Sequence, residues 1–378
     1  MADCLAAPLI EHFAQVEDPR SDLGKRHLLL DIIVIAICAV ICGADDWADV
    51  ELFGRTKEAW LRTFLRLPHG IPSEDTFRRV FRLLDPEQFQ QCFRAWVEAA
   101  VTLSEGQVVP IDGKTLRRSH DHFLGAPAIH MVSAWATANG VVLGQLKVTD
   151  KSNEIPTIPE LLQLLEVAGC IVTVDALGCQ REIAAAVIAQ GADYVLAVKA
   201  NQPDLEGALA ELFAYAQAQG WRDVVHDAHR TLSKGHGRIE TRQCWTIQEP
   251  DYLYYVRQFA DWPGLNTIVK VQTERRVGQE VTERTRYFIT SLGNDAQQVL
   301  QAVRDHWGIE NQLHWRLDVI FGEDHSRLRK GHGAQNFAVL RHIALNLLQQ
   351  ERSSKISAKG KRLRAALDEN YLGQILRG

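Results

Sequence analysis

Asn139-Gly140 separates two apolar runs, Ile129–Thr137 and Val141–Thr149. Asn-Gly between two strand-like segments is the strongest short-range signal for a β-hairpin. The flanking pattern says what this hairpin belongs to. Val108–Ile111 reads as a short strand ahead of it. Behind it come a helix (Ile158–Val167), a strand (Cys170–Val174), a helix (Gln180–Gln190) and a strand (Tyr194–Val198). A hairpin followed by alternating strands and helices predicts a mixed α/β sheet.

The segments on either side are of different kinds. Residues 1–105 read as all-helical. Leu28–Cys42 is an apolar helix stopped by Gly43, and Trp47–Leu67 is a second, with Val50, Phe53, Trp60 and Phe64 at helical spacing. Pro68, Gly70 and Pro72 break the chain before Ser73, a good N-cap for a helix to about Leu84. Asp85-Pro86 opens another helix, with Phe89, Phe93 and Trp96 as its apolar stripe. After a helix at about Asp204–Gln219 the alternation stops. Residues 220–286 carry strand-like and polar segments (Glu240–Ile247, Leu265–Glu274, Glu280–Tyr287) and read as a β-rich insertion. Helical texture resumes at Ala296 and runs through Ile320, and Asn336–Leu348 is helical again. From Arg352 to Arg364 there are six basic residues and no acid, the pattern of a solvated basic tail. The expected domains are therefore a helical N-terminal domain (1–105), an α/β domain with an insertion (106–350) and a basic tail (351–378).

Lys and Arg number 42 against 47 Asp and Glu, a net charge of −5, so nothing global announces a polyanionic partner and any such argument must be local. The seven cysteines (4, 38, 42, 92, 170, 179, 244) form no CxxC pair, and several lie in apolar runs. They point to a reducing cytoplasm and away from a disulfide framework or a cysteine zinc site. No charged-then-apolar leader opens the chain. Leu28–Cys42 contains Asp31 and is shorter than the ~20 residues a membrane span needs, so no membrane partner is expected.

Asp112 and Asp175 each follow an apolar strand. Open α/β sheets bind ligands at the carboxyl ends of their strands, and paired carboxylates there suit a hard divalent cation. Taken singly, each Asp is better explained as the cap of a following turn or helix. A third acid stands in the dense segment Arg304–Trp315. Ile309, Leu313 and Leu317 recur at i, i+4 and i+8, which places Glu310 on the adjacent stripe, beside the core-facing edge. His306, Glu310 and His314 share that spacing and could bind zinc, though the HExxH pattern is absent. Asp318, Glu323 and Asp324 compete with Glu310 for the role of third acid.

Five segments in order carry a resemblance: DPRSDLGKRHLLLDI at 18–32, IDGKTLRRS at 111–119, TVDALGCQ at 173–180, HWGIENQLHWRLDVIFGED at 306–324 and NFAVLRHIALNLL at 336–348. Together they resemble the DDE transposases of bacterial insertion sequences, most closely the ISAs-one family with its H-repeat-associated proteins. The resemblance spans nearly the whole chain. It implies a ribonuclease-H-like fold and a catalytic, metal-binding triad of Asp112, Asp175 and Glu310. It implies Mg²⁺ as cofactor, with Mn²⁺ as an alternative, and two ions about 3.5–4 Å apart clamping an in-line displacement at phosphorus. The implied reaction is cleavage at the ends of an insertion sequence, then attack of the freed 3′-OH on target DNA. The implied partners are terminal inverted repeats, target DNA and further copies of the chain.

Related enzymes carry Tyr, Arg and Lys around the glutamate. Here those positions are Val303, His306 and Leu317, so Arg304, His306, His314 and Arg316 are the candidates for phosphate contacts. Lys114, Arg117 and Arg118 follow Asp112 directly and suit the scissile phosphates. Arg78, Arg79 and Arg82 lie on the outer side of a helix resembling the recognition helix of a helix-turn-helix. Trp245 is a candidate for stacking on an unpaired base, or packed core. The competing readings are a DNA-binding remnant without catalysis, a nuclease that never joins ends, and a zinc hydrolase.

Overall fold

A computed structural model describes residues 7–120, 127–148, 154–235 and 237–377. Six helices come first: α1 (Ala7–Phe13), α2 (Leu29–Cys42), α3 (Trp47–Thr56), α4 (Glu58–Leu61), α5 (Glu74–Leu83) and α6 (Pro86–Ala100). Then follow β1 (Val108–Thr115), β2 (His130–Ala136), β3 (Val141–Val148), α7 (Glu154–Leu162), β4 (Ile171–Val174), α8 (Arg181–Ala189), β5 (Asp193–Val198) and α9 (Pro203–Ala218). The expected insertion contains β6 (His226–Gly235), β7 (Arg238–Ile247), α10 (Pro250–Arg257), β8 (Thr267–Val277) and β9 (Glu280–Thr290). The chain ends with α11 (Ala296–Gly308), a π-helical stretch (Ile309–His314), α12 (Trp315–Val319), α13 (Gly333–Gln350), α14 (Ala358–Leu367) and α15 (Glu369–Arg377). The mixed α/β architecture matches the reading of the sequence, and the hairpin at Asn139-Gly140 joins β2 to β3 antiparallel, with Gly140 at φ +70.

Two compact units divide the chain: 1–102 with 113–151 and 310–378, and 103–112 with 152–309. This division differs from the expected domains, because the N-terminal helices cluster with the C-terminal segment. The reason lies in α2. Ile32 through Ile41 are fully buried, so this helix is apolar all round and cannot sit on a surface. It packs against α13, α14 and α3. Its one charge, Asp31, is 3% exposed and accepts the Leu67 backbone N–H at 2.9 Å, which answers a buried donor inside the bend after α4. The helix expected over 47–67 is divided at Lys57, between α3 and α4, and ends at Leu61, ahead of the bend in which Leu67 has φ +44.

In the same unit β3 and the last residues of β1 flank β2, where Leu116 N donates to Ile129 O and Thr115 Oγ1 meets His130 Nδ1 at 2.8 Å. α13 covers β3, and Asn346 closes a two-way bond with Val142, donating to its carbonyl and accepting from its amide. The expected tail is not one. α14 and α15 pack against each other, Lys361 Nζ donates to Leu348 O at 2.8 Å, and Arg362 Nη2 donates to Val40 O at 3.0 Å. Both basic side chains serve as caps for helix carbonyls.

The second unit is a sheet in the order β1-β4-β5-β9-β8-β7-β6. β1, β4 and β5 are parallel; the rest is an antiparallel meander joined to β5 through β9. α11 lies on one face, burying Val299, Leu300 and Val303 against Cys244, Val269, Val271 and Phe288. β6 is absent from the sequence reading because its edge position leaves alternate residues exposed and its composition polar.

Candidate active site

β1 and β4 run parallel with Val108↔Ile171 through Ile111↔Val174 in register, on strands ~4.8 Å apart. Asp112 and Asp175 are the next residue on each strand. Their side chains therefore leave neighbouring strands at the same level of the sheet. β1 itself continues to Thr115, so Asp112 lies within that strand rather than at its end. Asp175 follows β4, and its Oδ1 accepts the Gly178 N–H at 3.3 Å, capping the turn Ala176–Gly178. The capping role that explains a lone Asp is thus real here and uses one carboxylate oxygen. Gly178 is required at this turn: a Cβ there would come 2.2 Å from Val174 Cγ1.

α11 brings His306 to the same edge. Its Nδ1 is 3.0 Å from Thr173 Oγ1, two residues before Asp175. Burial pushes the imidazole pKa down and the Asp175 charge partly restores it, so His306 is neutral at neutral pH. Beside it, Trp307 lies 5.1 Å from the Arg286 guanidinium.

Ile309, Leu313 and Leu317 are buried at 0, 0 and 2% exposure, as their spacing requires. Glu310 is exposed rather than beside the core, because Ile309–His314 is π-helical and its wider turn shifts side chains off the α-helical stripe. Among the described residues no group of three or more His, Cys, Asp or Glu is disposed to hold a metal ion. The zinc reading fails on the same geometry. His306 is engaged by Thr173, Glu310 is exposed, and His314 faces Lys114, Glu323 and His342.

Residues 103–347 match the family described as the transposase DDE domain, and residues 10–97 match the segment associated with it. The H repeat-associated candidate transposase YhhI of Escherichia coli K12 is 39% identical over 98% of both chains. The protein YbfL of the same strain is 38% identical over 98% of both. The chain belongs to the DDE transposase family. Among solved structures, a piggyBac transposase synaptic complex with hairpin DNA aligns at TM-score 0.43 and 11% identity, over 100% of this chain and 77% of that one.

Several basic residues of this transposase sit elsewhere than the sequence suggests. Lys114 is 11% exposed and donates to Asp318 Oδ1 and Glu323 Oε2, both at 2.6 Å. It is spent on an internal cluster instead of being offered to phosphates. Glu323, 2% exposed, also faces Arg341 at 3.7 Å, and Asp324 lies 3.4 Å from Arg117. These pairings show Asp318, Glu323 and Asp324 as partners of cations. Burial raises the Glu323 pKa, but Lys114 and Arg341 outweigh it and hold the carboxyl below its usual range. Lys114 is raised, its two carboxylates outweighing burial. Burial drives both His314 and His342 down to about 4, with Lys114 adding to the shift and Glu323 opposing it. His314 is therefore a neutral component of this cluster.

Arg117, Arg118, Arg304, Arg78, Arg79 and Arg82 are exposed, and Arg316 is half-buried. Arg78 is paired with Glu74 and Asp75 on its own helix. Trp245 is 9% exposed with Lys270 Nζ 5.4 Å from its ring, so it is packed core. Sequence reasoning missed Arg341 and His342. Their signal was an Arg-His pair inside the apolar run NFAVLRHIALNLL, where a buried charge demands a partner.

Proposed function

We propose that this protein is an active DNA transposase with a ribonuclease-H-like core, in which Asp112, Asp175 and Glu310 are the catalytic acids. The observation that carries the reading is the parallel register that sets Asp112 beside Asp175 at one strand level, in a chain of the DDE family. The strand orders β3-β2-β1 and β1-β4-β5 support the ribonuclease-H-like core.

The donor set is all oxygen. Mg²⁺ is commonly held by one or two carboxylates, keeping waters and substrate phosphate oxygens as its other ligands. Two adjacent aspartates fit that requirement, and Mn²⁺ shares it. Asp112 and Asp175 would hold the ion, with Glu310 as the third acid. Once bound it would neutralise charge developing on the transferred phosphoryl group. Of the chain's own residues, His306 positions the Asp175 loop through Thr173. As a neutral imidazole it adds no positive charge to compete for the aspartates. The exposed Arg117, Arg118 and Arg304 are the phosphate contacts. Joining two element ends calls for at least two protomers, and the partners are the terminal inverted repeats and target DNA.

The test is a plasmid carrying a marker between the inverted repeats that flank this reading frame, incubated with purified protein and Mg²⁺. Excised ends joined to a target plasmid support the reading, and Asp112→Asn must abolish both steps. Cleavage without joining identifies a nuclease. Binding of the repeats with no cleavage identifies an inactive remnant.

A further inference from the structure

We propose that the α11-bearing face of the β6–β9 ribbon binds the sugar-phosphate backbone of duplex DNA; the choice of DNA as the polyanion rests on the transposase reading. Residues directly opposite one another in a sheet share a face. Cys244, Val271 and Arg286 are in register on β7, β8 and β9, and Cys244 and Val271 belong to the core against α11. Every second row outward has the same facing. Those rows bring Arg242 with Arg284, then Glu240 with Arg275, then Arg238 with Glu280. Five arginines, counting Arg286, thus face two glutamates.

The opposite face is of another kind. There Arg276 lies 3.4 Å from Glu274, Gln272 bonds to Glu283, and Leu232, Ile239 and Val281 are exposed. Its two glutamates are thus engaged by Arg276 and Gln272, while Arg230 and Lys234 on the same face carry no ion pair among the described residues. On the α11 side Glu240 is taken by Arg242 at 2.6 Å. No ion pair engages Arg275, Arg284 or Arg286 among the described residues. Burial first, and then the neighbouring Arg284 charge, lowers the Arg286 pKa, and an anion between the two would relieve that repulsion.

The row begins at the candidate active site. Arg286 stacks on Trp307, next to His306, which touches Thr173 beside Asp175. From Arg286 to the Arg238 row is six residues, ~20 Å at about 3.3 Å each, the rise of roughly six base pairs. Outward of Trp307 this face presents arginine, threonine and serine, with Glu240, Glu280 and Val277 among them and no aromatic platform, which suits backbone contacts rather than stacked single-strand bases.

The test uses the full chain, a fluorescent duplex of arbitrary sequence and EDTA, with affinity measured against salt. The triple variant Arg275→Gln/Arg284→Gln/Arg286→Gln is expected to bind roughly 10–100-fold more weakly. The slope of log K against log[salt] should become shallower by about 2.7, three contacts at ~0.9 each. The single variant Arg275→Gln should lose about 0.9 and serves if the triple fails to fold. Arg230→Gln/Lys234→Gln/Arg276→Gln, on the other face, should keep the wild-type slope. An unchanged slope in the first set, an equal loss in the second, or a stronger effect on single strands than on duplex would overturn the proposal. Because EDTA blocks chemistry, a protein that binds through this face yet never cleaves sinks the transposase reading alone. One that cleaves with its salt slope untouched sinks only this inference.

Discussion

At the scale of single residues, the candidate acids differ in what else they do, and that separates catalysis from stability. Asp175 caps a turn through one oxygen. Asp175→Asn keeps an acceptor for Gly178 and is expected to melt near the wild type while losing end cleavage. Asp175→Ala should also lose about 1 kcal/mol of stability, measured by urea unfolding. Glu310 is exposed. Glu310→Gln should change stability by less than ~0.5 kcal/mol and still abolish cleavage. Retained cleavage there would remove Glu310 from the triad. Lys114 is the opposite case. Lys114→Ala leaves Asp318 without its cation and Glu323 with Arg341 alone, and breaking a buried pair costs about 3–5 kcal/mol. A variant that folded with normal stability would contradict the internal role given to this lysine.

Among the elements, the cluster joining β1, α12 and α13 makes stability depend on acid. His314 and His342 have folded pKa values of about 4 against an ordinary 6.5, so below pH 6.5 the unfolded chain binds protons that the folded chain refuses. Stability should therefore fall as pH drops from 6.5 to about 4. The contribution is on the order of 3 kcal/mol for a shift of this size. His342→Gln should flatten the pH profile of the melting temperature across that window. An unchanged profile would show that His342 does not titrate as its surroundings require. The same elements show what the sequence could and could not disclose. The hairpin at Asn139-Gly140, the strands carrying Asp112 and Asp175, and the insertion were legible, because turn chemistry and two-residue alternation are local signals. The facing of Glu310 was not, because nothing local marks a π-turn. Lys114 misled for a related reason: its partners lie some two hundred residues away, so its charge read as surface. β6 was missed because an edge strand need not be apolar.

At the level of the whole chain, the two contact units cut across the sequence order. Residues 1–105 read as a domain because they are helical and end where the strands begin. Yet α2 is apolar on every side, and α13 and α14 supply part of its covering. An isolated 1–105 fragment is therefore expected to lack a cooperative thermal transition. Removing residues 352–378 should expose α2 and make the helices before residue 100 sensitive to protease within the otherwise intact chain. Resistance equal to the full-length protein would show that α14 and α15 are dispensable.

The burial of α2 has a consequence for synthesis. The helix leaves the ribosome early, and α13 and α14, which cover it, are translated about three hundred residues later. At some 5–20 residues per second that is an interval of tens of seconds. Throughout it the nascent chain displays its most apolar segment without the native cover. Contacts so distant in sequence also close slowly. Every frameshift or premature stop before α13 yields a product that holds this segment and never hides it. Such fragments are natural clients for chaperones and proteases, so a damaged copy of the gene tends to erase its own protein.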